Sequence, residues 1–300
     1  DGMELPRFES FFAYDPKNLP GDEQVLDTVR RMIDDLLALR VAPEVDPYTG
    51  PAILSGRASG VFFHEIFGHR VEGQRQRDAD DAQTFKKMIN QRVLPETFSV
   101  IFDPAIDRLD GTDLAGYYNY DNQGVKGQRV TVVENGMLRG FLMSRKPVEG
   151  FPRSNGHGRK QPGNEPVARQ SNMIIEVSGP VSSDELKRQL IERIVAEGKP
   201  FGLRFEDIQG GFTLTGRFIP NAFNVIPVMV YKVYPDGREE LVRGVDIIGT
   251  PLTALSMITA ADNRLKVFNG NCGAESGWVP VSSVSPAILV SQIEVQKKQK

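Results

Sequence analysis

Three hundred residues, 40% of them hydrophobic and 25% charged, suffice for one large domain or two modest ones and exclude wholesale disorder. A net charge of −3 and an isoelectric point near 5.8 offer no basic surface for counterion-release binding, so no nucleic-acid partner is expected. No apolar run approaches the roughly 18–20 residues of a membrane span, and the single cysteine, Cys272, excludes an internal disulfide framework and suits the reducing cytoplasm.

The start, Asp1 to Phe12, lacks the basic-then-apolar layout of a signal peptide. An amphipathic helix follows, with Asp22 as N-cap and Val25, Val29, Met32, Ile33, Leu36 and Leu37 at three- and four-residue spacing, ending near Arg40. A second helix is predicted over about 60–72, stopped at Gly73. Gln74 to Asp81 reads as a solvated loop, and Thr84 to Asn90 as a short helix. Strands then take over. Phe98, Val100 and Phe102 alternate with polar neighbours, as do Val130, Val132, Leu138, Gly140 and Leu142 around Asn135-Gly136, a strong two-residue hairpin signal. A second hairpin turns at Asp236-Gly237, and 173–177 and 288–295 also read as strands. Ser182-x-x-Glu185 is a capping box opening a helix that stops at Gly198. Thr250-Pro251 opens another that carries Leu255, Met257 and Ile258. Antiparallel hairpins interrupted by a few helices argue for an α+β fold, and neither a repeat nor a linker divides the chain.

Chemistry concentrates in His64-Glu65-x-x-x-His69. The familiar zinc helix spaces its histidines i, i+4, about 40° apart; spacing i, i+5 leaves them about 140° apart on a regular helix. A π-type widening would return both rings to one face, and Gly68 is where the backbone deforms most cheaply, so a kinked or widened helix is expected there. A third ligand is offered by Cys272 in the glycine-rich loop 269–273. Two imidazoles, one thiolate and one open position fit catalytic zinc, with Glu65 as the general base that activates the bound water. Each residue also has a plainer reading. The His-Glu string arises by chance, and a lone cysteine is commonly a small buried residue. His157 is either an idle loop histidine or a donor to a substrate carbonyl. Arg169 and Asn172 either bind peptide main chain or carboxylate, or lie on the surface. Glu72 either orients a ligating histidine or faces solvent. Competing functions are a thiol hydrolase using Cys272, a metal-free peptide-binding scaffold subunit, and a copper electron-transfer site.

The stretch Phe63 to Gly73 resembles the signature of the TldD/PmbA family, once called modulators of DNA gyrase: His-Glu-x-x-x-His followed shortly by Glu-Gly. The similarity continues through Asp121-Asn122-Gln123-Gly124, 134–138, 154–159, 169–172, Ile248-Gly249, Cys272-Gly273 and 279–281. The resemblance implies a zinc metallopeptidase hydrolysing small or unfolded peptides. It pairs as a homodimer or with a metal-free PmbA-type subunit. His64, His69 and Cys272 fall on the family's metal ligands and Glu65 on its catalytic glutamate. It further implies that residues 1–300 form a single catalytic domain, the C-terminal region of the family, without its N-terminal α/β region. The fold expected is α+β: a large, mostly antiparallel, curved or barrel-like sheet with several helices and the metal site on a kinked helix. Departures are Asn122 and Gln123 where the family carries acids, Ala274 where it carries lysine, and a basic tail in place of a closing glycine pair.

Overall fold

The structure, a computed structural model, describes residues 2–78, 80–216 and 222–298. In chain order it runs α1 (Asp22–Val41), β1 (Tyr48–Leu54), α2 (Gly56–Ile66), α3 (Gln74–Arg77), β2 (Phe98–Phe102), β3 (Arg108–Leu109), β4 (Thr112–Asp113), β5 (Val130–Glu134), β6 (Met137–Leu138), β7 (Gly158–Arg159), β8 (Val167–Ala168) and β9 (Asn172–Val177). It continues with α4 (Ser183–Ala196), β10 (Gly202–Thr213), β11 (Phe223–Val233), β12 (Glu239–Val242), β13 (Val245–Gly249), α5 (Pro251–Ser256), β14 (Ile258–Ala261), β15 (Lys266–Ala274), β16 (Gly277–Ser285) and β17 (Ile288–Lys297). No helix among the described residues is long and apolar enough to cross a membrane.

Two sheets carry the fold. In the first, β1 pairs in parallel with β10, then β10, β11, β13 and β17 follow in antiparallel order. Strand β17 returns to β1, with Ala52 opposite Val290, so five strands close into a barrel. The expected α+β class and barrel-like sheet are both present. The second sheet is six-stranded, in the order β15-β16-β9-β2-β5-β6. Helix α2 packs against β10 and β11 of the barrel and β15 and β16 of the other sheet. That position explains why it is apolar almost all round. Phe62, Phe63, Ile66 and Phe67 are fully buried in the core that joins the two sheets. Burying each such side chain stabilises the fold by about 1.5–3 kcal/mol. Helix α4 covers the barrel's outside, with Leu186, Leu190 and Ile194 against Ile53, Val233 and Leu289.

Local chemistry sets several boundaries. Ser182 accepts a hydrogen bond from the Glu185 amide, as its capping box requires. Asn135 and Gly136 both take positive φ, 48° and 78°, the two-residue turn that the β5–β6 hairpin needs. Other boundaries differ from the expectations. The helix predicted over 60–72 begins earlier, at Gly56, because Ser55 caps it, and ends at Ile66. Gln74 to Asp81 is not a solvated loop: it opens with α3, and Gln74 and Gln76 are buried. Residues 84–90 form turns, with Phe85 buried in the core, rather than a helix. The predicted glycine-rich loop 269–273 lies inside β15, and Ile258 starts β14 after α5 has ended. In α1, Gly21 occupies the N-cap, and the stripe of Val25, Val29, Ile33 and Leu37 points outward. Leu39, packed on Val228 and Met229, and Arg7, which pairs with both Asp35 (2.8 Å) and Asp207 of β10 (2.7 Å), hold that helix to the barrel.

Candidate metal centre

The site begins where α2 stops. His64 and Glu65 occupy its last turn, and Phe67 then leaves helical geometry (φ −118°, ψ −54°) before 68–71 rewind as one 3₁₀ turn. The helix is therefore kinked as expected, but by a break and a tightening, not a π-type widening. On one axis, tighter winding would not bring positions 64 and 69 together, since each 3₁₀ residue turns about 120°. The change of direction at Phe67 does so, leaving the two imidazole centroids 4.9 Å apart with ring planes at 81°. Gly68 serves this break by its size. A Cβ there would collide with the Gln170 carboxamide, which donates to the His64 carbonyl at 3.4 Å. Arg70, almost wholly buried, caps the broken end by donating to the Glu65 carbonyl (2.9 Å), Thr213 Oγ1 (2.5 Å) and the Leu214 carbonyl (3.0 Å). Burial, with Arg75 nearby, lowers its pKa to about 10, which leaves it charged at neutral pH.

Cys272 comes from β15, in the other sheet, and its Sγ lies 3.3 Å from His69 Nε2. The donor atoms of His64, His69 and Cys272 all fall within 4.8 Å of one another. Burial by itself would raise the Cys272 thiol, but His69 and His64 beside it hold it well below the usual thiol range. Burial likewise opposes a charge on His69; Cys272 and Glu72 outweigh it and raise its pKa well above the ordinary value. On its other side His69 places Nδ1 3.3 Å from Glu72 Oε2, so the Nε2 face is turned to the thiol. Glu72 is fully buried, and burial opposes its charge. His69, Arg169 and Arg75 pull it down to about 2 all the same. Arg169 Nε approaches Glu72 at 3.2 Å while its Nη2 donates to Cys272 Sγ (3.1 Å) and to the Cys272 carbonyl (2.7 Å). One buried guanidinium thus braces the carboxylate behind His69 and the strand that carries Cys272.

His64, Glu65, His69 and Cys272 all line a cleft of about 670 Å³. His157, Arg169 and Asn172, the residues expected to meet substrate, do not line it and are fully buried. Asn172 donates to the carbonyls of Asp103 (3.0 Å) and Ile106 (2.8 Å). His157 lies between Asn155 and Ser171 Oγ, each at 3.1 Å, and burial drives its pKa down to about 3. Arg70, Gln170, Phe212 and Trp278 were not expected at this site. The Gly210-Gly211-Phe212 run is the signal that could have marked the opposite wall, because paired glycines in a strand often mark close approach.

Two imidazoles and a thiol converging on an open cleft, from a helix end and a strand, form a group of donors that could hold a transition-metal ion. The donor set fits a borderline-soft divalent metal: the three residues line one cleft, and their donor atoms lie within 4.8 Å of one another.

The chain belongs to the family described as the PmbA/TldA metallopeptidase C-terminal domain, whose model matches residues 47–297. A metalloprotease of Archaeoglobus fulgidus is 28% identical over 275 residues, covering 90% of this chain and 59% of that protein. A zinc metalloprotease TldD homolog of Saccharolobus solfataricus is 25% identical over 279 residues, 91% of this chain and 56% of the relative. The chain thus spans little more than half the length of these relatives. Among solved structures, a modulator of DNA gyrase from Thermotoga maritima superposes with a TM-score of 0.65 at 19% identity, over 90% of this chain and 54% of that one. TldE from Thermococcus kodakarensis also gives 0.65, at 15% identity, over 91% and 56%. At these identities the two structures speak for the fold.

Proposed function

We propose that this chain is the metal-bearing catalytic domain, over residues 1–300, of a zinc peptidase acting on small or unfolded peptides. The observation that carries the reading is the convergence of His64, His69 and Cys272 within 4.8 Å, in one cleft with Glu65. His64, His69 and Cys272 would hold the zinc, which when bound supplies Lewis acidity toward a peptide carbonyl and acidifies water. Glu65 takes the proton from the attacking water and returns it to the leaving amide nitrogen, a role its place in the wall of the cleft supports. Glu72 and Arg169 hold the imidazole of His69 and the thiolate of Cys272 in place. The relatives' names, metalloprotease and zinc metalloprotease, agree with this reading. Assembly as a homodimer or with a PmbA-type subunit is part of the proposal, as membership of this family implies.

A second reading has one observation in its favour: a thiol 3.3 Å from an imidazole, with its pKa held low, is also the arrangement of a cysteine nucleophile. Elemental mass spectrometry on chelator-free protein separates the two. About one zinc per chain is expected, lost in both His64→Ala and Cys272→Ser. Glu65→Gln is expected to keep its zinc while peptide turnover falls about 10²–10⁴-fold. A zinc-free wild-type protein, cleaving peptides indifferently to chelators and inactivated by alkylation, would establish the thiol hydrolase instead. A zinc-free and inert protein would leave the scaffold reading.

A further inference from the structure

Two arginines are buried at this site, and they hold different things. Arg169 contacts the Glu72 carboxylate and the Cys272 thiol, so it serves the metal donors. Arg70, 2% exposed, reaches instead back to Glu65 and across to the end of β10. Its Nη1 donates to both the Glu65 carbonyl (2.9 Å) and Thr213 Oγ1 (2.5 Å), so a single nitrogen joins the last turn of α2 to that strand. Nη2 adds a bond to the Leu214 carbonyl (3.0 Å). The same strand also meets the side chain of Glu65. Gly211 precedes Thr213 by two residues and so shares its face of β10, and a Cβ there would lie 3.0 Å from Glu65 Cγ. Glu65 is thus seated on β10 at two points, by its side chain at Gly211 and by its carbonyl through Arg70. Both sides of the seat are fixed. Residues 211–213 pair with 223–225 of β11, and the Arg70 carbonyl accepts from the buried Gln76 Nε2 (2.6 Å).

Closing a helix end does not need a buried guanidinium, whose desolvation opposes folding; a glycine or water serves. What the guanidinium adds is reach, because it spans two elements and sets the distance between them. We infer that Arg70 is a positioning residue for Glu65: by clamping the Glu65 turn to β10 it holds that carboxylate in register with the metal donors His64, His69 and Cys272. The inference rests on the peptidase reading above, in which Glu65 exchanges a proton with the attacking water. Among the described residues no hydrogen bond holds the Glu65 carboxylate itself, so its placement depends on the clamped backbone and on Gly211. A base displaced by about 1 Å loses up to roughly 10²-fold in rate. Binding of zinc by the three donors, and of peptide in the cleft, does not pass through Arg70.

The test uses the full, zinc-supplied protein and the best-cleaved member of a fluorescence-quenched series of unstructured peptides. Arg70→Met should keep about one zinc per chain and lower kcat roughly 10²-fold, with KM within about twofold of wild type. Arg70→Lys, which keeps the charge and one donor arm, should recover part of the loss. The decisive comparison is a cycle with Glu65→Gln. In that background Arg70→Met should change the residual rate by less than about threefold, because the group it positions is already gone. Equal losses with and without Glu65, a loss carried by KM, or zinc that leaves with Arg70 would overturn the inference. Thr213→Val keeps the shape and removes one acceptor, so it repeats the cycle with a loss of about three- to tenfold should Arg70→Met fail to fold. If zinc-loaded wild type cleaves none of the peptides, the peptidase reading falls and hydrogen exchange decides the clamp alone. Amides 65–69 should then exchange about tenfold faster in Thr213→Val than in wild type, and unchanged exchange would sink the clamp.

Discussion

His69 and His157 are both buried, yet their surroundings drive them in opposite directions. His157 has only neutral partners, Asn155 and Ser171, and burial leaves it uncharged. His69 lies between a fully buried carboxylate, Glu72, and the thiol of Cys272, and its pKa rises well above the ordinary value. Depth alone therefore does not tell a structural histidine from a chemical one. What separates them is whether the fold has also buried a negative charge beside the ring, which is worth its desolvation only where something needs that ring oriented.

Breaking the charged side of this comparison should have the largest effect. In Glu72→Gln, Arg169 keeps its burial but loses its countercharge, and stability should fall by about 3–5 kcal/mol in urea titrations. Zinc affinity should fall roughly 10–100-fold by chelator competition, because the amide no longer fixes the His69 ring as firmly. Wild-type affinity in this variant would mean that Glu72 serves the core alone. The neutral side is probed by acid. His157 has a native pKa of about 3 against about 6.5 in the unfolded chain, so between those values only the unfolded state takes up the proton. Its contribution is complete above pH 6.5 and is lost as pH falls toward 3, on the order of a few kcal/mol in all. Urea midpoints at pH 7, 5.5 and 4 should fall less steeply for His157→Gln than for wild type; identical slopes would sink the assignment. The smallest effect is steric. Gly68→Ala should cost about 1–3 kcal/mol, because the new methyl collides with Gln170, and Gln170→Ala in the same chain should recover most of it. If the double variant is no better, the break at Phe67 depends on backbone freedom rather than on space.

Much of this was legible in the sequence because it depends on neighbours in the chain. The capping box at Ser182 and the Asn135-Gly136 turn are local chemistry, and both stand where they were expected. The His-Glu string and Cys272 also marked residues that the fold brings together. What stayed hidden depends on distant partners. Gly68 looked soft because nothing within a few residues shows that Gln170 needs its space. The run 269–273 looked like a loop because its glycines suggested freedom. In the sheet, Gly270 and Gly273 instead make room for the rings of Phe268 and Trp278. Arg169 and Asn172 looked like surface groups meeting substrate because polarity predicts exposure. Their burial rests on carbonyls and acids about 65–110 residues away, which no local pattern reveals.

The closed barrel carries a consequence for the order in which the molecule assembles. Strand β1 has two neighbours, β10, which begins at residue 202, and β17, which begins at residue 288. Neither edge of β1 can pair until most of the chain exists. During synthesis, therefore, the first apolar strand waits unpaired while the rest emerges, and pairings of such long range are intrinsically slow to form. Local units such as α4 and the β5–β6 hairpin can form early, but the ring shuts last, when β17 arrives. Because Cys272 emerges only just ahead of that strand, the donor cluster and the barrel are completed by neighbouring parts of the chain.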